Sequence, residues 1–402
     1  ILWMLAIVPI CYSLDDPEAY MNMMDMIRHW GYPAEQHEVI TADGYILGLH
    51  RIPHGRHSDA NSSCHRPPVM FSHGLGGGPS MFLLNPPESS PAFLLADAGF
   101  DVFLISHRGT TYSKRHVTLA PWDNKFWQFT IDEIVKYDAT ATIDKVLQLN
   151  GASQLYWVGL SQGTAVGFMT LADFPAYNSK VKALFQLGPV ATGGFGKGLI
   201  SLVYPLYRVA KPIVDFYRMA FGSHEVAPQI SFIYRPLVRL CLAFPYIGPV
   251  VCNKAPQLLM GPSTRTLNIS RAPVYLSHTP SSTSTWNGLH WGQLASRRKI
   301  EHMDHNPLEN IQRYGQEAPP PYNYSQIDVP IHLFWSKSDW LATQEDIETV
   351  LLKELRKEIV QEGKEIDGYN HIDFFVATDI AETVYNPITE IVRRQEKDMC
   401  ER

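Results

Sequence analysis

A single serine set between two glycines, where an apolar run gives way to small residues, constrains this chain more than any other feature. The stretch is LYWVGLSQGTAVG, Leu155 to Gly167. Leu155–Val158 has the apolar and aromatic character of a buried strand, and the pattern from Gln162 onward is helical. Ser161 therefore falls on a strand-to-helix turn. Gly159 and Gly163 leave room for a sharp turn and for close approach of helix and strand, and Ala165 and Gly167 continue the small face. Such a turn lifts the serine hydroxyl above the strand ends. It sets the hydroxyl beside the first turn of a helix, where backbone N–H groups face developing negative charge.

The rest of the chain supplies a frame for that turn. Glu38-Val-Ile-Thr, then Asp43-Gly44, then Tyr45 to Ile52 reads as a β-hairpin around an Asp-Gly turn. Further strands are expected at Pro68–Ser72, Asp101–Ser106, Gln154–Gly159, Lys182–Leu187 and Val329–Trp335. The clearest helix between them is Ile131–Leu149, apolar at 131, 134, 135, 143, 146 and 147 and stopped by Asn150-Gly151. Strand–helix alternation of this kind predicts an α/β fold with a mainly parallel central sheet. The alternation breaks between about Pro189 and Ser325, where the chain is aromatic, Pro-punctuated and helical in texture. That block is too long for a loop and reads as a mostly helical cap inserted into one α/β domain. The expected division is 14–188 and 326–402 for the core and 189–325 for the cap or lid. Leu351 to Ile359, of mixed charge, reads as a solvated helix face.

At 402 residues, 45% hydrophobic and 18% charged, the composition is globular rather than disordered. The net charge of −6 and the lack of a basic tract argue against a nucleic-acid partner. The run ILWMLAIVPI, followed by the small residues Cys11 and Ser13, reads as a truncated signal peptide over 1–13, cleaved after Ser13. Residues preceding Ile1 could instead lengthen it into a membrane anchor. Five cysteines leave Cys64, Cys241, Cys252 and Cys400 once Cys11 is set aside. That even remainder is compatible with disulfides in an oxidising compartment, without fixing the pairing. Asn61, Asn268 and Asn323 open Asn-x-Ser glycosylation acceptors.

A serine hydroxyl is a weak nucleophile and needs a base, usually a histidine oriented by a carboxylate. On the nucleophile elbow of α/β-hydrolases these follow in the order serine, acid, histidine. VPIHLFWSKSDW supplies a strand ending in a polar loop with Asp339, and GYNHIDFF places His371 in a loop before a helical pattern. The rivals fit less well. Asp328 precedes its strand, Asp373 suits a local cap, His302 and His305 lie in the cap, and His332 lies within a strand. Two oxyanion donors are also required. One is expected from Gln162, directly after the nucleophile. The other is expected from Leu75 in the glycine-rich SHGLGGG loop after Pro68–Ser72. With no Gly-Lys-Ser/Thr following, that loop is not a phosphate cradle, and no His-Glu-x-x-His or similar cluster suggests a metal.

Several longer segments carry a resemblance. MIRHWGYPAEQHEVITADGYILGLHRIPHG, FSHGL, LADAGFDVFLISHRG, FWQFTIDEIVKYD, GLSQG, LNISRAPVYLSHTPSSTS and GYNHIDFF together resemble the acid lipase family, which includes lysosomal acid lipases and gastric lipases. The likeness runs from about Met23 to Asn386. It implies an α/β-hydrolase that is secreted or lysosomal and uses no metal or organic cofactor. The implied activity is hydrolysis of triacylglycerols or sterol esters. Peripheral contact with lipid aggregates is expected from the cap itself, where Phe195 to Phe221 is rich in Leu, Ile, Val, Phe and Tyr with Lys197, Arg208, Lys211 and Arg218 interspersed. A cap core with a solvated face is the alternative. The likeness also implies Ser161, Asp339 and His371 as triad, Leu75 and Gln162 as oxyanion donors, and a disulfide between Cys241 and Cys252. Cys64 and Cys400 are assigned no bond. Two positions depart from the family pattern: Leu160 replaces a histidine before the nucleophile, and Ser336-Lys337-Ser338 replaces a glycine-bearing loop before the acid. Rival functions for such a chain are a lipid-binding or storage protein with little turnover, and a peptidase on the same fold.

Overall fold

A computed structural model describes residues 16–58, 64–199, 201–202, 207, 209, 212–213, 216, 220–227, 254, 256–265, 267–361, 363–396 and 398–400. The expected signal segment, Asn61, Cys241 and Cys252 lie outside the described residues.

The strands are β1 (Glu35–Ile40), β2 (Tyr45–Ile52), β3 (Pro68–Ser72), β4 (Asp101–Ile105), β5 (Arg115–His116), β6 (Leu155–Leu160) and β7 (Val181–Leu187). They continue with β8 (Glu225–Val226), β9 (Thr283–Ser284), β10 (Ile331–Trp335) and β11 (Lys364–Glu365). Nine of them form one sheet in the order β1-β2-β4-β3-β6-β7-β10-β11, with β5 paired to β2. From β4 to β11 every neighbour is parallel, whereas β1 and β2 form the antiparallel hairpin expected around Asp43-Gly44. Strands buried on both faces read as nearly continuous apolar runs, and alternate side chains divide between the two faces. Met70, Phe103 and Trp157 join the core on one face. Val69, Val102 and Tyr156 join the core on the other.

The helices α1 (Met23–His29), α2 (Pro91–Asp97), α3 (Ile131–Glu133), α4 (Thr140–Asn150) and α5 (Gln162–Asp173) flank the sheet. The expected helix from Ile131 is interrupted, because π-helical turns occupy Ile134–Ala139 between α3 and α4. Those wide turns hold the buried Asp138, which accepts the backbone N–H and the Nε–H of Arg108, each at 2.8 Å. Arg108 in turn grips Asp43 of the hairpin turn at 2.7 and 3.0 Å. A second correction concerns 351–359. No single helix forms there, because Leu355 is extended and buries its side chain between two short helical pieces.

Between β7 and β10 the described residues add no strand to the large sheet. They form α6 (Ala272–His278), α7 (Thr285–Arg297), α8 (Pro307–Tyr314) and the β8–β9 ribbon. His302 fastens this region to the core by sitting 3.5 Å from Asp132 and 3.3 Å from Asp173. Burial opposes its charge, but the two carboxylates outweigh burial and hold its pKa up at about 9. A disulfide joins Cys64 to Cys400 across a separation of 336 residues, tying the approach to β3 to the segment after the last helix.

Candidate active site

The nucleophile turn is built by exclusion of side chains. Ser161 adopts φ 55° and ψ −120°, a conformation that L-residues avoid without enforcement. The enforcement is visible at the flanking glycines. A Cβ on Gly163 would lie 2.0 Å from the Ser72 carbonyl oxygen of β3, and one on Gly159 would lie 2.3 Å from Gln186 Oε1. The Ser161 N–H donates to the Leu187 carbonyl at 3.1 Å, which extends β6 pairing two residues past the expected strand end at Gly159. Its hydroxyl makes no capping bond to α5.

The other expected residues gather from the carboxyl ends of different strands, where open α/β sheets place their sites. Asp339 follows β10 and is wholly buried; its Oδ1 accepts the N–H groups of Leu341 and Ala342 at 2.8 and 2.9 Å. Its Oδ2 lies 2.8 Å from His371 Nδ1. Because the carboxylate engages Nδ1, the neutral imidazole carries its proton there and leaves Nε2 as the base. That Nε2 is buried and has no hydrogen-bond partner among the described residues. Gly188 is needed beside the pair, since a Cβ there would sit 3.2 Å from Asp339 Oδ2 and 3.3 Å from the imidazole.

Ser161, His371, Leu75 and Gln162 all line one cavity of about 680 Å³. Its remaining wall is largely apolar, including Met81, Leu160, Met260, Leu289, Trp291 and Phe375. Gln162 is the first residue of α5, so its N–H has no intrahelical acceptor. The Leu75 peptide is oriented by a buried imidazole. His73 Nε2 accepts the His107 N–H at 3.2 Å, so its Nδ1 carries the proton and donates to the Gly74 carbonyl at 3.0 Å. The Gly77 N–H meets the same carbonyl at 3.1 Å. In a trans peptide the next N–H points the opposite way, so both contacts fix the direction of the Leu75 donor. Burial pulls the His73 pKa down to about 4, keeping this imidazole neutral.

The rivals lie elsewhere or act locally. Asp328 is exposed and pairs with Arg356 at 2.5 Å. Asp373 accepts from Ser263 Oγ at 2.6 Å and the Asn370 N–H at 2.7 Å, shaping the turn that carries His371. His302 serves the ion cluster above, His305 faces Glu309 at 3.5 Å, and His332 stacks on Phe185. Asn323 is exposed and Asn268 half-buried. Among the described residues no group of three or more His, Cys, Asp or Glu is placed to hold a metal ion.

Reasoning from sequence missed His73 and also Asp346. The Asp346 carboxylate accepts the N–H groups of Ala191, Thr192 and Gly193 at 2.9–3.0 Å and the Thr192 hydroxyl at 2.6 Å. Of those residues Thr192 and Gly193 line the cavity. Asp346 could not be told from an ordinary surface acid in TQEDIE, whereas His73 stood in the quoted SHGLGGG stretch as a usable signal.

Residues 23–86 match the family model described as a partial alpha/beta-hydrolase lipase region, and residues 67–208 match the alpha/beta hydrolase fold. The chain is 38% identical to the gastric triacylglycerol lipase of Bos taurus, over 95% of this chain and 94% of that protein. It is 37% identical to the human lysosomal acid lipase/cholesteryl ester hydrolase, over 94% and 92%. It is 36% identical to Lipase lipl-1 of Caenorhabditis elegans, over 94% and 93%. Among solved structures, a putative lipase from Sulfolobus solfataricus aligns with a TM-score of 0.55 at 13% identity, over 90% of this chain and 99% of that one, a likeness of fold.

Proposed function

The chain belongs to the acid lipase family of α/β-hydrolases, and on that premise we propose that it hydrolyses triacylglycerols or sterol esters through an acyl-enzyme on Ser161. One observation carries the reading: Ser161 and the His371–Asp339 pair open on the same apolar cavity as the amide donors of Leu75 and Gln162. Ser161 Oγ attacks the ester carbonyl while His371 Nε2 takes its proton, and Asp339 stabilises the resulting imidazolium. Negative charge gathers on the former carbonyl oxygen, where the Leu75 and Gln162 N–H groups meet it. The bond to the alcohol then breaks, and His371 returns the proton to the departing oxygen. A water, deprotonated by the same nitrogen, attacks the acyl-enzyme, frees the fatty acid and restores Ser161.

The insertion 189–325 acts as the cap over this cavity. Leu199, Leu202, Val209, Ile213, Phe216 and Phe221 are all exposed. Residues 202, 209, 213 and 216 follow the spacing of one helical face. Exposed apolar residues at that spacing suit contact with a lipid aggregate from which the substrate is drawn. We infer a secreted or lysosomal location, in keeping with the Cys64–Cys400 disulfide. No helix among the described residues is long and apolar enough to cross a membrane.

The test is turnover of purified protein on triacylglycerol, sterol ester and a soluble short-chain ester. Ser161→Ala should lower turnover about 10⁴-fold or more on each, with His371→Ala comparable and Asp339→Asn less severe. A folded Ser161→Ala protein with near-normal activity would refute the assignment.

A further inference from the structure

The side chain of Gln162 faces away from the sheet and is held by the cap. Its Oε1 lies 2.7 Å from Trp291 Nε1 and 3.0 Å from Asn287 Nδ2. An indole nitrogen can only donate, so the amide oxygen must be the atom facing α7. Asn287 and Trp291 are one helical turn apart on the same face. Asn287 is wholly buried and steadied by Thr283 Oγ1 at 3.0 Å, and its N–H is capped by Ser284 Oγ at 2.9 Å. The same stretch of α7 forms cavity wall through Gly288, Leu289, Trp291 and Gly292. Trp291 therefore has its ring at the space that receives an acyl chain and its N–H on the residue after the nucleophile.

We propose that Trp291, supported by Asn287, is a positioning residue that couples the acyl-cavity wall to the oxyanion donor of Gln162. The inference rests on the reading of Ser161 and Gln162 given above. At the start of α5 the Gln162 backbone is fixed on its C-terminal side by helical bonds, and on its N-terminal side by a strained turn. The side chain adds a third restraint, and that restraint comes from the cap. Two donors converging on one oxygen in a buried setting hold it more firmly than a solvated amide would be held. A well-packed cavity wall thus reports to the atom that meets the oxyanion, and losing the Trp291 N–H loosens that donor without emptying the wall.

Trp291→Phe removes the donor and retains a large apolar ring. On a soluble short-chain ester, kcat should fall about ten-fold, the scale of one buried hydrogen bond, with KM within about two-fold. A purely structural role of the cap would not produce the second readout, a double-mutant cycle with Gln162→Leu, which removes Oε1 and keeps the backbone N–H. In that background Trp291→Phe should add less than about two-fold, because its partner atom is already gone. Asn287→Ser, run through the same cycle, carries the test should Trp291→Phe fail to fold. Equal loss in both backgrounds, or an unchanged kcat in the single variant, overturns the coupling. Fluorophosphonate labelling separates this from failure of the underlying reading. If Ser161→Ala still labels, the nucleophile assignment has failed. If it does not label and the cycle is additive, only the coupling has failed.

Discussion

His50 is a buried imidazole whose protonation opposes folding, and replacing it should make the protein more acid-tolerant. It lies in β2, 1% exposed, with its ring edge-on to Tyr112 at 4.9 Å. Neither ring nitrogen has a hydrogen-bond partner among the described residues. Burial alone pulls its pKa from 6.5 to about 4. The sign follows from proton counting. Between pH 6.5 and 4 the unfolded chain binds a proton at this position and the folded chain does not, so acidification favours unfolding. With those two values the loss is about 2 kcal/mol at pH 5 and about 0.2 kcal/mol at pH 7. His50→Leu is close in volume and cannot titrate. Relative to wild type it should therefore gain about 2 kcal/mol on moving from pH 7 to pH 5. Relief of two unsatisfied nitrogens adds a gain of about 1–3 kcal/mol at every pH, which separates cleanly from the pH-dependent part. Urea unfolding at both pH values, followed by tryptophan fluorescence with the disulfide intact, measures it. If the stability difference between variant and wild type is the same at pH 5 and pH 7, the reasoning is wrong. His73 has the same sign, but it orients the oxyanion loop, whereas His50 separates the effect from catalysis.

Gly163→Ala places a methyl 2.0 Å from the Ser72 carbonyl, so helix or strand must move; we expect a loss of about 3 kcal/mol or more, read as a lower unfolding midpoint or no soluble protein. A variant of wild-type stability would show that the close approach is not real. Asp346→Ala strands three buried backbone N–H groups and should cost about 3–5 kcal/mol, with activity falling as the Thr192–Gly193 wall loosens. Thermal unfolding alongside ester turnover checks both. Ile213→Asp with Phe216→Asp should lower hydrolysis of emulsified long-chain ester about ten-fold while sparing a soluble short-chain ester. Equal loss on both substrates in a folded variant would favour a structural cap over an interfacial one.

What was legible in the sequence is what leaves a local pattern. The elbow glycines are needed because Cβ atoms at 159 and 163 would strike Gln186 and Ser72, and that need is written as two glycines around one serine. The buried strands are apolar at most positions because both faces are covered, so most strands were placed within a residue or two. The π-helical turns were not legible, because they answer to Arg108, whose side chain reaches Asp138 from a distant loop. Leu355 falls in a mixed-charge run that reads as a solvated helix face; burial of its side chain outweighed that pattern. The Cys64–Cys400 bond was likewise out of reach, since nothing local relates two cysteines 336 residues apart.

The same distinction runs through the segment after β10, where Asp339 and Asp346 stand seven residues apart and both are wholly buried. Both satisfy the order nucleophile, acid, histidine, and Asp339 is selected because it stands in the polar loop that ends a strand. Nothing local selects Asp346, yet the two carboxylates solve the same problem. Each is a charge removed from water, tolerable only because several donors converge on it. For Asp339 the donors are two N–H groups of its own turn and the His371 ring. For Asp346 they are three N–H groups and a hydroxyl from the loop after β7. One turn of chain thus fixes the base on one side of the cavity and the wall on another. Because those donors are preorganised, each carboxylate has its hydrogen bonds supplied by the protein, and an apolar cavity can hold a charge-handling site without admitting bulk water.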